Sequence, residues 1–357
     1  MAFSLFKKNK NKKDDRYQIL TIKEVVDVAK DAVNLVFEKP ESFDYQPGQF
    51  ITIIKEVNGK KIRRAYSLCT TPFEDENPAV TIKRVEGGAM SNELNDHAKA
   101  GDRLEIMEPM GMFTTEYVSS NKRNTVFFGG GSGITPLMSI IRSILLKEPD
   151  SMATLVYGNR TEEFVIFKEL ISTLEDKYSG RFKAIHILEE GDADYSGRPT
   201  PQMIGEICKA ISADSNSEFY ICGPQPMMDV VAKGLEEFGI DEEAVRMESF
   251  EAGKTSPSEI IDKETSSESE VTILLDGEEY AITVKKNESI LDTALNNDLD
   301  MPYSCQSGLC TACRGKCVEG KISIDEAEGL SQDELDEGYV LTCIGKPLTD
   351  RVRVEMG

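Results

Sequence analysis

The sequence predicts a multidomain chain: an antiparallel β-barrel or sandwich first, a doubly wound parallel α/β sheet second, and a small β-rich domain with clustered cysteines last. Three observations carry this. Residues 15–118 hold short, partly alternating apolar runs separated by turn residues. Residues 119–250 alternate strand-like runs with helical patterns. Residues 251–270 are Ser/Glu-rich and read as a linker, setting off residues 271–357 and their cysteines. The 357 residues leave room for three such domains.

Composition narrows the function classes. Acidic residues outnumber basic ones by 63 to 41, a formal charge of −22. That balance opposes unaided binding to nucleic acid or to an anionic membrane, both of which need a positive footprint. No uncharged apolar run reaches the roughly 18 residues of a membrane span. Residues 1–14 read as a basic flexible tail, because the apolar Met1–Phe6 precedes the lysines, the reverse of an export signal. A cytoplasmic setting is therefore expected, in which the eight cysteines serve as metal ligands or free thiols, not disulfides.

In the first block, Val33–Phe37 and Gln49–Ile54 read as strands, and Asn58-Gly59 as the turn of a hairpin. The next strand ends in Arg64-Ala65-Tyr66-Ser67-Leu68. An arginine there can grip a phosphate bidentately, a tyrosine can stack on a planar ring, and a serine can hydrogen-bond a ring nitrogen. Gly87-Gly88-Ala89-Met90-Ser91 then reads as a turn entering a helix, with Ser91 as a possible N-cap, the kind of terminus that binds a pyrophosphate. Lys83, Arg84 and Val85, between the two motifs, are expected to line the same cleft.

In the second block, Thr125–Phe128, Ala153–Tyr157, Ala184–Leu188 and Glu218–Cys222 read as buried strands. Gly129-Gly130-Gly131-Ser132-Gly133-Ile134-Thr135-Pro136 follows the first of them and opens a helix, a second place where backbone can approach a pyrophosphate. Tyr157-Gly158-Asn159-Arg160 ends the second strand and Cys222-Gly223-Pro224 a later one.

The third block predicts a hairpin (Val271–Leu275, turn Asp276-Gly277, Tyr280–Val284) and a helix near Ser289–Asn297. Cys305-x4-Cys310-x2-Cys313, with Cys343 about thirty residues on, has the plant-type spacing of a [2Fe–2S] cluster. The alternative is a structural zinc site, but zinc sites come as two paired Cys-x2-Cys knuckles, and only one pair exists here. Cys317, a fifth cysteine in a strand-like run, reads as a buried thiol.

These motifs resemble two known families. The last 87 residues, with Pro302-Tyr303-Ser304 ahead of the cluster and Leu341-Thr342-Cys343 around the fourth cysteine, resemble the plant-type ferredoxin domain, which implies a β-grasp fold. An Arg-x-Tyr-Ser strand, a Gly-Gly-x-x-Ser helix start and a Gly-x-Gly-Ile-Thr-Pro turn, in that order, resemble the ferredoxin–NADP reductase superfamily. That resemblance implies a Greek-key barrel holding FAD and a second domain holding NAD(P)H. It places Arg64, Gly88, Met90 and Ser91 at the flavin phosphates, and Tyr66 and Ser67 at the ribityl chain and ring. It places Gly130, Gly131, Gly133 and Arg160 on the nicotinamide dinucleotide. Thr135, Cys222, Gly223 and Pro224 then face the nicotinamide, and Glu248 and Phe250, in a terminal Glu-x-Phe, approach the flavin. FAD is preferred to FMN because the helix start is intact through Leu94. NADPH is preferred to NADH because Arg160 suits a 2′-phosphate, although Glu162 and Glu163 stand close by.

A flavin exchanges electrons in pairs or singly, so the three modules imply a converter of hydride into single electrons. The module order resembles reductase components of multicomponent bacterial oxygenases, the phenylacetyl-CoA epoxidase and phthalate systems among them. The implied partner is an oxygenase component docking near the cluster. The acidic third block is suited to steering onto a positive partner face. A free-standing ferredoxin- or flavodoxin-type reductase is the alternative, and a redox-sensing regulator the reading from another class.

Overall fold

The computed structural model describes residues 17–250 and 268–356, except 286, 325, 326 and 328; residues 1–14, expected as a tail, and residues 251–267 of the expected linker lie outside them. Six strands make the first domain: β1 (Tyr17–Ala29), β2 (Ala32–Phe37), β3 (Phe50–Val57), β4 (Lys60–Ser67), β5 (Ala79–Lys83) and β6 (Arg103–Met110). They are antiparallel in the order β4-β3-β6-β1-β2-β5, a Greek-key path. The first half of β1 pairs with β6 and the second half with β2. A bridge between Leu68 and Val80 joins the two outer strands and closes the barrel. Asn58 and Gly59, at φ 54° and 75°, form the two-residue turn between β3 and β4 that their sequence predicts. Alternate residues such as Leu20, Ile22, Leu35, Phe37, Ile51 and Ile53 fill the interior, and helix α1 (Ala89–His97) covers one end through Met90 and Leu94.

The second domain runs β7 (Asn124–Gly130), α2 (Ile134–Lys147), β8 (Met152–Asn159), α3 (Lys168–Lys177), β9 (Phe182–Leu188), β10 (Tyr195–Ser196), α4 (Pro201–Ala210), β11 (Glu218–Cys222), α5 (Gln225–Phe238) and β12 (Val245–Glu248). Its six strands are parallel in the order β10-β9-β8-β7-β11-β12. Helices α2 and α3 cover one face and α4 and α5 the other, which is why the strands read as continuous apolar runs. The strand order reverses between β7 and β11, so a crevice opens at their carboxyl ends.

A buried ion pair anchors the entry to this domain. Glu148, with no exposed surface, accepts from Arg123 through both guanidinium arms and from Asn121 and Ser151, while Arg123 also reaches Glu218 and Thr115. Removing one partner of such a pair leaves the other charge buried and alone, at a cost of about 3–5 kcal/mol. Glu148→Ala is therefore expected to lower the urea midpoint of the second domain markedly; an unchanged midpoint would contradict this account of the pair.

The third domain holds β13 (Glu268–Leu275), β14 (Glu278–Lys285), α6 (Ile290–Asn296), β15 (Arg314–Glu319), β16 (Ile322–Ser323), α7 (Gln332–Asp336), β17 (Tyr339–Leu341), β18 (Lys346–Pro347) and β19 (Arg351–Met356). The main sheet is ordered β14-β13-β19-β15-β17, with β13 and β19 parallel at its centre and α6 packed across it, a β-grasp arrangement. Strand β13 begins at Glu268, inside the stretch that composition reads as linker, because Glu268–Glu270 pair with Thr283–Lys285 of β14. Ser289 caps α6 by accepting from the Asp292 N–H. Cys317 departs from expectation: it lies in β15 but is only half-buried, its thiol donating to the Glu319 carbonyl at the sheet's bulge. None of the eight cysteines is paired in a disulfide. Among the described residues no helix is long and apolar enough to cross a membrane.

Candidate functional site

The crevice of the second domain is built from two backbone turns in contact. Gly131 adopts φ +51°, and the Tyr157 hydroxyl donates to its carbonyl at 2.8 Å. A Cβ on Gly133 would stand 2.0 Å from the Cys222 carbonyl oxygen, and one on Gly223 would stand 3.0 Å from the Gly130 Cα. Met227 and Pro224 close over Gly130 in the same way. The glycines thus let the β7–α2 turn and the β11–α5 turn share space that side chains would fill. Thr135 is buried in the first turn of α2, its hydroxyl donating to the Ser132 carbonyl. Cys222 is fully buried; burial, and then the nearby Glu248 carboxylate, push its thiol well above the usual range, so it stays protonated.

Lys83, the last residue of β5, reaches this crevice. Its ammonium lies 2.7 Å from where a Gly131 Cβ would be, and burial and the charge of Arg160 lower its pKa, with Asp31 opposing them. Lys83 thus reaches the Gly131 turn from the barrel, with Arg160 near enough to act on its charge. Arg160 is exposed and stacks on Phe164 at 5.3 Å. The two carboxylates that complicate its reading are engaged elsewhere, Glu162 with Lys168 and Glu163 with Lys30, each at 2.7 Å.

In the barrel, the end of β4 opens on a cavity of about 250 Å³ lined by Arg64, Ser67, Glu248, Phe250 and, among others, Phe50, Ser304 and Cys305. Strand alternation explains the neighbouring arginines: Arg64 is exposed on the cavity side, while Arg63 is buried on the other. Tyr66 is half-buried, and burial raises its phenol so that it remains a donor. Glu248 is buried with one carboxylate oxygen unpartnered, and burial, then the Cys305 charge, push it up to about 8.

One expectation here needs correcting. Ser91 is not the N-cap of α1: Gly88 holds that position, and Ser91, three residues on, accepts from the Val85 N–H and reaches back to the Gly88 carbonyl. Arg84 pairs with Asp96 (2.7 Å) and Asp31 (3.5 Å), and Val85 is solvent-exposed. Met90 is buried in the barrel core, leaving only its backbone to the helix start. A Cβ on Gly88 would strike Ser91 Oγ at 2.5 Å, so the cradle at that helix start requires glycine.

The cysteine loop sits against the barrel. Cys310, Cys313 and Cys343 are buried and Cys305 half-buried. Cys305 lies against Cys310 and Cys343, and Cys313 against Cys343. Gln306 and Gly308 turn the loop at φ +58° and +78°, which lets the Ser307 N–H donate to Cys305 Sγ. Among the described residues no three His, Cys, Asp or Glu side chains converge on a point for a single ion. A dinuclear cluster spreads four thiolates over two irons and needs no such point. Cys310 and Ala312 pack with Phe50, Ile54 and Met107 of the barrel. The buried, unpartnered Ser307 hydroxyl beside the sulfurs and the unpartnered Glu248 oxygen in the cavity are polar atoms awaiting partners, which fits a cluster and a flavin on those residues.

Sequence reasoning missed the seat of the loop. Phe50, Arg63 and Asp300 belong to no motif, and the contact between β3–β4 and residues 300–312 joins parts of the chain about 250 positions apart. Met227, which its place in α5 assigns to helix packing, also lies on Gly130.

Three family models match: an oxidoreductase FAD-binding domain over residues 19–115, an oxidoreductase NAD-binding domain over 127–233 and a 2Fe-2S iron-sulfur cluster binding domain over 273–348. The chain is 35% identical over 352 residues to the ferredoxin reductase component of 3-ketosteroid-9-alpha-monooxygenase from Rhodococcus rhodochrous, covering 95% of this chain and 97% of the relative. It is 33% identical over 349 residues to one of the subunits of 1,2-phenylacetyl-CoA epoxidase from Escherichia coli K12, with the same coverage. The solved structure of phthalate dioxygenase reductase has this fold, at a TM-score of 0.58 and 22% identity over 96% of this chain and 99% of that one.

Proposed function

The chain belongs to the ferredoxin–NADP reductase family with a C-terminal [2Fe–2S] domain, and on that footing we propose that this NAD(P)H-dependent reductase delivers electrons to an oxygenase of the phenylacetyl-CoA epoxidase kind. It is a flavin- and iron–sulfur-dependent oxidoreductase of an oxygenase system. The observation that carries the reading is the cavity in which Ser67, Glu248 and Cys305, from all three domains, share one wall. A 3-ketosteroid 9-alpha-monooxygenase partner is the second reading, supported by the 35% identity. Reconstitution with each purified oxygenase decides: product formation with phenylacetyl-CoA supports the first, and turnover only with the ketosteroid enzyme overturns it.

A flavin held here would supply chemistry in both pairs and single electrons, and a cluster held here would take electrons one at a time. The residues supply positioning. Arg64 and the Gly88–Ser91 helix start hold the flavin phosphates, and Ser67, Tyr66 and Phe250 its ribityl chain and ring. Glu248 lies buried at the same cavity, its pKa raised by that burial. Gly130, Gly131 and Gly133 present N–H groups to the nicotinamide dinucleotide, Lys83 neutralises its pyrophosphate, Arg160 stands at its adenosine ribose, and Thr135, Cys222, Gly223 and Pro224 close around the nicotinamide. Cys305, Cys310, Cys313 and Cys343 hold the iron. Asp333, Asp336 and Glu337, exposed on and after α7, offer the acceptor a negative face.

The pairing of Glu162 and Glu163 with lysines leaves Arg160 to a 2′-phosphate, which supports NADPH over NADH. A lower apparent KM for NADPH is expected, and Arg160→Ala should raise it roughly tenfold, the loss of one charge-assisted contact, with little change for NADH. A lower KM for NADH in the unmodified protein would contradict this.

A further inference from the structure

We propose that Arg63, Asp300, Thr52 and Ser304 form a clamp that fixes the cysteine loop on the barrel and sets the rate of electron passage between the domains, a role that rests on the reductase reading above.

Arg63 is 3% exposed, a rare state for an arginine in a barrel wall. It pairs with Asp300 at 2.7 Å, and its guanidinium stacks on the buried Tyr303 ring at 5.3 Å. Lys61 on the same strand holds the other Asp300 oxygen at 3.2 Å. One strand away, the fully buried Thr52 hydroxyl hydrogen-bonds the buried Ser304 hydroxyl. Asp300, Tyr303 and Ser304 lead directly into Cys305, so all of these contacts act on the segment that delivers the first cysteine to the cavity.

The apolar patch of Phe50, Ile54, Met107, Cys310 and Ala312 gives adhesion without direction. The clamp adds direction: a bidentate-capable guanidinium and a buried hydroxyl pair define one register of loop on barrel. Each hydride arrives as two electrons, which must cross this contact one at a time, so small displacements of the loop act on the crossing and not on hydride arrival.

The test uses the full-length holoprotein. Anaerobic stopped-flow mixing with NADPH separates flavin bleaching from cluster bleaching. Asp300→Asn and, independently, Thr52→Ala are expected to leave the flavin step unchanged and slow the cluster step by roughly tenfold or more, as misplacement of reacting groups does. Asp300→Glu is expected to restore most of the rate. In the oxidised protein, amide hydrogen exchange over residues 299–306 should quicken by roughly tenfold in the Asn and Ala variants, reporting a loosened loop. Cluster reduction at the original rate overturns the proposal. So does slowing of both steps together, or a slow cluster step with unchanged exchange, which would put the effect on charge and not on position. A protein without flavin or iron would fail before the first mixing and would count against the reductase reading instead.

Discussion

A Cys310→Ser protein is expected to reduce its flavin with NAD(P)H at close to the original rate while passing almost nothing to a protein acceptor. Cys310 is 3% exposed and wedged between the barrel patch and Gly329, whose Cβ would stand 3.0 Å from the Cys310 nitrogen. Serine fills nearly the same volume, so the loop and its seat on the barrel survive. A serine hydroxyl does not supply the thiolate that iron needs. Changes in the outer shell of a metal site already cost 10–100-fold, so loss of a ligand should cut delivery by at least about a hundredfold. The measurement pairs NAD(P)H oxidation by a small dye that draws on the flavin with reduction of an electron-accepting protein. Equal delivery by the variant would mean that the cysteine loop is not on the electron path.

Gly133→Ala should have the largest effect in the second domain. Its Cβ would meet the Cys222 carbonyl oxygen at 2.0 Å, the carbonyl carbon at 2.4 Å and the Gly223 nitrogen at 2.7 Å. All three are backbone atoms, so no side chain can swing aside. The β7–α2 and β11–α5 turns must part, and the proposed nicotinamide site lies between them. Displacements near 1 Å in a reacting geometry cost on the order of a hundredfold, and flavin reduction by NAD(P)H is expected to fall by about that much. Gly205→Ala, in α4 with only Phe238 at 3.9 Å, is the control and should be neutral or slightly stabilising. Flavin reduction at the original rate in Gly133→Ala would contradict the close contact of the turns.

The three layers of the fold were legible because each announces itself locally. The Asn58-Gly59 and Asp276-Gly277 turns both adopt positive φ as their residue types require, and the apolar runs of the second domain are buried on both faces. The cysteine spacing likewise marks out a loop whose sulfurs meet. Details of side-chain direction were less legible. Whether Arg63 or Arg64 faces the cavity depends on the register of β4 against β3, which a motif does not contain. Ser91 looks like a cap from its place after Gly-Gly, but the helix begins two residues earlier and turns it inward. Lys83 ends strand β5 of the barrel and still reaches the Gly131 turn, because the domains meet there. The Arg63–Asp300 pair joins surfaces that no local pattern relates.

Anaerobic titration of the full chain with NADPH, followed by absorption and low-temperature electron paramagnetic resonance, tests most directly whether one polypeptide turns a hydride into single electrons. The account predicts iron and flavin in the purified protein, bleaching of both sets of bands, and the resonance of a reduced [2Fe–2S] centre. Flavin that bleaches while the iron stays oxidised, or protein that holds no iron after anoxic reconstitution, would contradict it.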